Sequence, residues 1–432
     1  MTQAYLLPPS ATVRWNLRQL YWDIFWFGVL AGSSLAFLAV YVARLDASSL
    51  QVGLLSAGPA LVNLVFTLPA GRWLEGKPLI RAAFLSSVGQ RAGYLVLVAI
   101  PWLFIQQQGQ IWAIIVLTLV MSVAGTLLAI AFNALYAEVV PVEWRGKAAG
   151  WRNALVAVSV TLTTLLSGYI LDQVSSPLNY QIVFLIGAVG ALMSSFHLSR
   201  VRQYKEVDLQ PEISDTSGHI DHDRIHWWDW LLQAGRRREV RTTNRKPLLR
   251  MDLIASPFGL FMAGCLAFYT FQYFGVPIFP LFYVNELNLT DGEIGLGTAM
   301  FHGTMMVGSL FLNRLSVNLG HRKVMLLGVF LFAQFPLLLG LSQDAILYYI
   351  ACLIGGSIYA FLNGGLVNRL MDRVPTSDRP AHMALHNLAL NMGILLGSLL
   401  GPLFGNWIGL RYALYLNAGL RFLAALLLWR WG

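Results

Sequence analysis

The chain has 432 residues and a mean hydropathy of +0.60, with 56% hydrophobic residues and only 12% charged ones. A soluble chain carries about 25% charge, and burial by folding alone saturates with size, so the composition excludes a soluble globular domain and makes lipid the second solvent. A net charge of +9 and a pI near 9.6 would suit nucleic-acid binding only on a water-soluble scaffold with a basic face. Here the same excess fits the cytoplasmic loops of a membrane protein, and no nucleic-acid partner is expected.

In chain order, residues 1–19 are polar, with Pro8, Pro9, Arg14 and Arg18, and read as a cytoplasmic N-terminal segment. They lack a short apolar stretch followed by a small-residue cleavage site, so no removable signal peptide is read there. Crossing the hydrocarbon core as a helix takes roughly 20 mostly apolar residues. Such runs fall at about 20–43, 50–71, 79–103, 109–136, 147–171 and 180–199, then at 254–283, 293–314, 322–341, 345–368, 380–405 and 409–430. They are long and continuous, unlike the alternating ten-residue strands of a membrane barrel. The fold expected is therefore an all-α polytopic membrane protein of twelve transmembrane helices, with bundles at 20–199 and 254–432.

Between the bundles, residues 200–253 form a polar cytoplasmic linker in which Pro211 to Gly218 reads as flexible chain. Trp227, Trp228, Trp230, Leu231 and Leu232 precede Arg236, Arg237 and Arg238 there. Apolar rings beside a basic cluster predict an amphipathic helix lying on the anionic inner leaflet. His219, Asp221, His222, Asp223 and His226 resemble a metal set only in composition, and such residues in a linker are usually solvated. His382 and His386 have the i, i+4 spacing that metals use, but no third ligand accompanies them. Cys265 and Cys352 lie inside apolar runs, so neither a disulfide framework nor a zinc cluster follows. No metal and no cofactor is expected.

Charge placement tests the span count. With the N-terminus inside, even-numbered connections should be rich in Lys and Arg. They hold Arg72, Lys77 and Arg81; Arg145 and Lys147; Arg314, Arg322 and Lys323; and Arg369, Arg373 and Arg379. Outward connections hold Arg44 and Arg411, with Glu286, Asp291 and Asp344. The expectation is a multi-pass protein of the cell (inner or plasma) membrane with both termini cytoplasmic.

A shift of 234 positions exposes an internal repeat. Glu138-Val139-Val140-Pro141 followed by Arg145 falls on Asp372-Arg373-Val374-Pro375 followed by Arg379, Asn153 falls on Asn387, and Asp172 on Asn406. A parallel repeat of six spans is a known carrier plan, with the solute site near midplane between the halves. On these residues the chain resembles the major facilitator superfamily over essentially its whole length. Tyr136 to Gly146 looks like that family's connection between spans four and five. Gly71-Arg72-Trp73-Leu74-Glu75-Gly76-Lys77 sits where the family's Gly-x-x-x-Asp-Arg-x-Gly-Arg-Arg loop belongs, keeping Gly71 and an acid at Glu75. The second copy keeps Gly320-His321-Arg322-Lys323, but Val317 stands where the acid would fall. The resemblance implies two pseudo-symmetric six-helix bundles and a central path lined by spans one, four, seven and ten.

Gly71, Glu75, Lys77, Glu138, Arg145, Asp372 and Arg379 are expected to form a cytoplasmic gate. Acids and bases on facing helix ends can pair across the halves when that mouth closes and separate when it opens; the plainer reading is that the basic residues only enforce topology. Polar side chains at membrane depth are disfavoured unless they face protein or water, which makes them markers of inner faces. Candidates for the solute path are Ser33 and Phe37 on span one, Asn63 on span two, Ser122 and Thr126 on span four, Tyr269, Gln272 and Tyr273 on span seven, Tyr359 and Asn363 on span ten, and Asn387 and Asn391 on span eleven. Helix–helix adhesion by hydroxyls and small residues is the alternative for Ser and Thr, and Gly393, Gly397, Gly401 and Gly405 form a small-residue face on span eleven.

Arg91 on span three and Arg421 on span twelve lie deep, where a cation costs about 2.5–3.5 kcal/mol on insertion scales and needs a partner or a task. Both stay open between solute selection and structural bonding. His302 on span eight and Asp23 on span one are the candidates for coupling to an ion such as H+, because buried titratable groups serve that role; facilitated diffusion needs neither. The function expected is secondary active or facilitative transport of a small solute by alternating access, in a monomer whose partners are the solute and the bilayer. Efflux of lipophilic compounds is the alternative within the class. A membrane sensor or scaffold, or a lipid-modifying enzyme, is the alternative outside it, although no catalytic Ser/His/Asp set, phosphate-cradling loop or metal triad appears.

Overall fold

The computed structural model describes residues 10–203, 251–375 and 378–432. The expected interfacial helix and the histidine-rich run of the linker lie outside the described residues. Among the described residues twelve helices are long and apolar enough to cross a membrane: α1 Ala11–Arg44, α2 Ser49–Leu74, α3 Leu79–Leu103, α4 Gln107–Val139, α5 Val142–Gln173, α6 Leu178–Ser199, α7 Pro257–Glu286, α8 Asp291–Leu319, α9 His321–Leu341, α10 Ala345–Arg373, α11 Arg379–Ile408 and α12 Leu410–Trp431. No strand occurs among the described residues. Short turns make successive helices within each half alternate in direction, and one end of the molecule carries the start of α1 and the end of α12. This is the termini end; the other is the opposite end.

Helix α1 begins at Ala11, earlier than the run from residue 20, because the Ser10 side chain caps it by accepting from the Val13 N–H. Part of the segment expected to be a polar tail is therefore helix. Caps fix other starts. Ser48 and Gln51 form a reciprocal capping box on α2, Thr290 and Glu293 another on α8, and Asp344 accepts from the Leu347 N–H at the head of α10. Each satisfies amide donors that a helix N-terminus leaves unpaired. Helix α7 is interrupted after Gly275, at Val276 and Pro277, where proline removes a donor and clashes with the preceding turn.

Packing repeats with the sequence. In the first half α1 packs on α5 and α6, α2 on α4, and α3 on α4 and α6; in the second, α7 packs on α11 and α12, α8 on α10, and α9 on α10 and α12. Two broad seams join the halves, α5 against α8 and α2 against α11. Large apolar side chains such as Trp102, Val120, Leu310 and Trp407 stay exposed on the outside, as lipid-facing surface requires. The small-residue face of α11 lies against α7, where a Cβ on Gly393, Gly397 or Gly401 would collide with Tyr269, Thr270, Tyr273 or Phe274. We expect Gly397→Leu to force these helices apart at a cost of about 1–3 kcal/mol or more, read as a lower melting temperature in detergent. An unchanged melt would contradict this packing.

Candidate functional site: the cleft between the halves

The two ends of the interface between the halves differ. At the opposite end, Arg44 of α1 contacts the Asp291 carboxylate of α8 at 3.1 Å, and the Tyr180 hydroxyl of α6 donates to the other oxygen of Asp291 at 2.8 Å. The Asp172 carboxylate of α5 accepts from the Gly292 N–H at 2.9 Å and the Thr290 hydroxyl at 3.0 Å. All these bonds cross between halves. Gly168 of α5 meets Gly292 and Gly295 of α8 so closely that a Cβ would stand 3.2–3.3 Å from their Cα atoms. Phe37 is fully buried and packs against this seam at Gly295.

At the termini end several charged groups bond within their own halves. Arg145 donates to the carbonyls of Val140 and Ala137, at 3.0 and 2.6 Å. Asp372 faces His321 at 3.0 Å and Arg369 at 3.9 Å. The Lys77 ammonium sits 3.2 Å from the Trp73 ring centroid, and burial lowers its pKa. Glu75, Glu138 and Arg379 are exposed, and the space around Gly71 is open. The structure thus places the expected gate residues at the termini end, Gly71 to Arg145 on the first half and Asp372 and Arg379 on the second.

At mid-depth a string of neutral polar groups crosses the α2–α11 seam. The Thr126 hydroxyl donates to Asn63 Oδ1 at 2.6 Å, Asn63 Nδ2 donates to Asn391 Oδ1 at 3.1 Å, and Asn391 Nδ2 donates to Asn387 Oδ1 at 3.0 Å. Ser122 instead returns its hydroxyl to the Thr118 carbonyl, and Ser33, fully buried, returns its own to Val29 and packs toward Gly187 of α6. Those two serve helix packing in this state.

The second half supplies a cavity of about 260 Å³ walled by Tyr269, Gln272, Tyr273, Tyr359, Asn363 and His386, among others. The Tyr269 hydroxyl bonds His386 Nε2 at 2.9 Å, while His382 bonds the Asp378 carbonyl at 2.8 Å; the two histidines have different partners. Gln272, Tyr273 and Tyr359 also wall a neighbouring cavity of about 400 Å³, with Phe279, Tyr283, Phe332, Tyr348, Cys352 and Arg421. Sequence reasoning missed the aromatic and cysteine part of this wall. Gln272, Val276, Phe279 and Tyr283 do share one face at i, i+4, i+7 and i+11, a stripe that reads equally well as core.

Arg91 and Asp23, singled out for different roles, meet. They are 5% and 4% exposed, and Arg91 lies 3.7 Å from Asp23 Oδ1 while Arg152 lies 3.5 Å from Oδ2. Ser194 donates to the same carboxylate, and Arg91 also donates to Ser87 and Ser195 at 2.9 and 3.1 Å. This cluster ties α1, α3, α5 and α6 together, and none of its residues lines either of the two second-half cavities. His302 stands apart on α8, its ring edge-on to Phe301.

The family model described as Major Facilitator Superfamily matches residues 24–276 and again 260–432. Among solved structures, the chain is similar to the xylose transporter XylE from E. coli in a partially occluded inward-open conformation (14% identity, TM-score 0.68, covering 98% of each chain). It is also similar to the nucleoside transporter NupG (12%, 0.65, 96% of this chain and 99% of that one). A third is a bacterial homolog of the human lysosomal transporter Spinster, inward-facing and occupied (13%, 0.69, 98% and 97%). At such identities these likenesses speak for the fold. No curated protein sequence matches. With the family model spanning both halves, and their packing repeated helix for helix, the chain belongs to the Major Facilitator Superfamily.

Proposed function

We propose that the protein is a secondary carrier that moves a small solute across the cell membrane by exposing the cleft between its halves to each side in turn. The observation that carries this reading is the unequal pair of ends: cross-half bonds and glycine contacts close one, while among the described residues Arg145 and Asp372 at the other bond within their own halves. A carrier needs two such states within a few kcal/mol of each other. With the basic connections inside, the state described here is open to the cytoplasm, and Arg145, Asp372 and Arg379 are groups that would approach across the mouth when it closes. The amide string and the tyrosine-lined cavity supply the polar contacts of a solute path.

The test combines reconstitution with distance measurement. A thermal-shift screen of the purified protein against metabolites and drug-like compounds should find a stabilising ligand, which proteoliposomes should then take up in a time-dependent, saturable way. Spin labels on the two halves should show the termini end narrowing as the opposite end widens. A protein that carries no ligand and keeps one distance distribution throughout would be a sensor or scaffold, and the carrier reading would be wrong.

A further inference from the structure

Among the described residues two arginines are deeply buried, and the protein treats them differently. Arg91 is neutralised by Asp23. Arg421 is 2% exposed, yet among the described residues no Asp or Glu lies within ion-pair distance of it. Its guanidinium has five N–H donors. One goes to the Gln272 carbonyl at 3.0 Å and one to that of Phe332 at 3.5 Å, while the buried Nε has no hydrogen-bond partner. The rings of Phe332 and Phe279, with centroids at 4.8 and 5.9 Å, attract the cation but accept no hydrogen bond in the plane of the fork.

Part of this arrangement is structural. Asn417, one turn before Arg421, donates to the Phe271 carbonyl, so α12 caps the last carbonyls of α7 before its break at Val276 and Pro277. Capping carbonyls needs donors, which Asn417 supplies without charge. It does not account for a buried positive charge with donors left over, placed on the wall of a cavity of about 400 Å³.

We propose that this cavity binds an organic monoanion with an aromatic body, its carboxylate held by Arg421 and its ring against Phe279, Phe301, Phe332 and Phe335. The inference rests on the carrier reading and names the solute class for it. The planar guanidinium fork matches a carboxylate, and the pairing strengthens as water is excluded. One cation without a second basic residue on the wall selects a single negative charge over a dianion, and it repels cations. The volume falls within the range of about 300–1,000 Å³ that suits small organic ligands. Tyr283 and Tyr359 line the same space, whereas the Tyr348 hydroxyl is committed to the Ile294 carbonyl.

The experiment measures equilibrium binding of benzoate, cinnamate, indole-3-acetate and 2-naphthoate to the full-length protein in detergent, each against its primary amide. At least one carboxylate should bind saturably, with its amide at least tenfold weaker. Arg421→Gln, which keeps donors for the carbonyls but loses the charge, should lose the preference for the carboxylate, and Arg421→Lys should recover part of it. Asn417→Ala removes a cap of the same α7 turn and should lower the melting temperature while leaving the preference intact. No saturable carboxylate binding, equal binding of acid and amide, or a preference lost equally in Asn417→Ala would overturn the proposal. Uptake by proteoliposomes separates the two readings. Charge-selective binding without flux keeps the site and removes the carrier, whereas flux of uncharged solutes unaffected by Arg421→Gln, with no carboxylate bound, does the reverse.

Discussion

Asp291→Ala is expected to shift the protein towards a state open at the opposite end. The Asp291 carboxylate receives both Arg44 and the Tyr180 hydroxyl across the seam, and bonds to a charged group are worth about 1.5–3 kcal/mol each. Arg44 is partly exposed, which discounts its share, so a loss of about 2–4 kcal/mol from the sealed state is a fair expectation. Each 1.4 kcal/mol is a factor of ten in population. The ratio of the two states should therefore move by roughly one and a half to three orders of magnitude. Double electron–electron resonance between labels on the two halves reads this directly. Distances at the opposite end should lengthen in the variant and shorten at the termini end. Distributions that match the parent protein would mean that Asp291 contributes nothing to closure.

Asp23→Ala is expected to be the most damaging substitution in the first half. It would leave Arg91 buried beside Ser87 and Ser195 with no counter-charge, and Arg152 without the carboxylate that faces it. Removing one partner of a buried ion pair costs about 3–5 kcal/mol, chiefly because the other charge remains. The prediction is a sharp fall in yield and melting temperature, partly restored in Asp23→Ala/Arg91→Leu, where one stranded cation is also removed. A single variant that melts with the parent protein would show that water or lipid headgroups already serve the arginines, and the cluster would lose its structural role.

The helices were legible because a bilayer imposes one demand on every span, a continuous apolar run of the right length. The start of α1 was not, since a hydropathy pattern stops where the lipid stops, whereas the helix continues on backbone bonds and a serine cap through Arg14 and Arg18. The cluster of Tyr269, Gln272, Tyr273, Tyr359 and Asn363 follows from polar side chains sharing faces of two helices. The Asn63–Asn391 bond, 328 residues apart in sequence, follows from no local pattern, and neither does the match of Arg91 with Asp23. Depth signalled that each arginine needed something. Which of them had found a carboxylate depended on how α1, α3 and α12 rotate in their bundles, and that is settled by packing. The seam residues Arg44, Asp172, Tyr180 and Asp291 sat in plain view at helix ends, where charges ordinarily meet only water.

The Asp172 carboxylate also bears on how the bundles could move. It sits over the first amides of α8 like an added counter-ion at the positive pole of that helix, so parting the seam withdraws an anion from a helix start. Thr290 and Glu293 already close that turn reciprocally from within the second half. The helix therefore has its own stopper and need not unravel if its neighbour leaves, as the proposed carrier motion would require of a bundle that travels as a solid body.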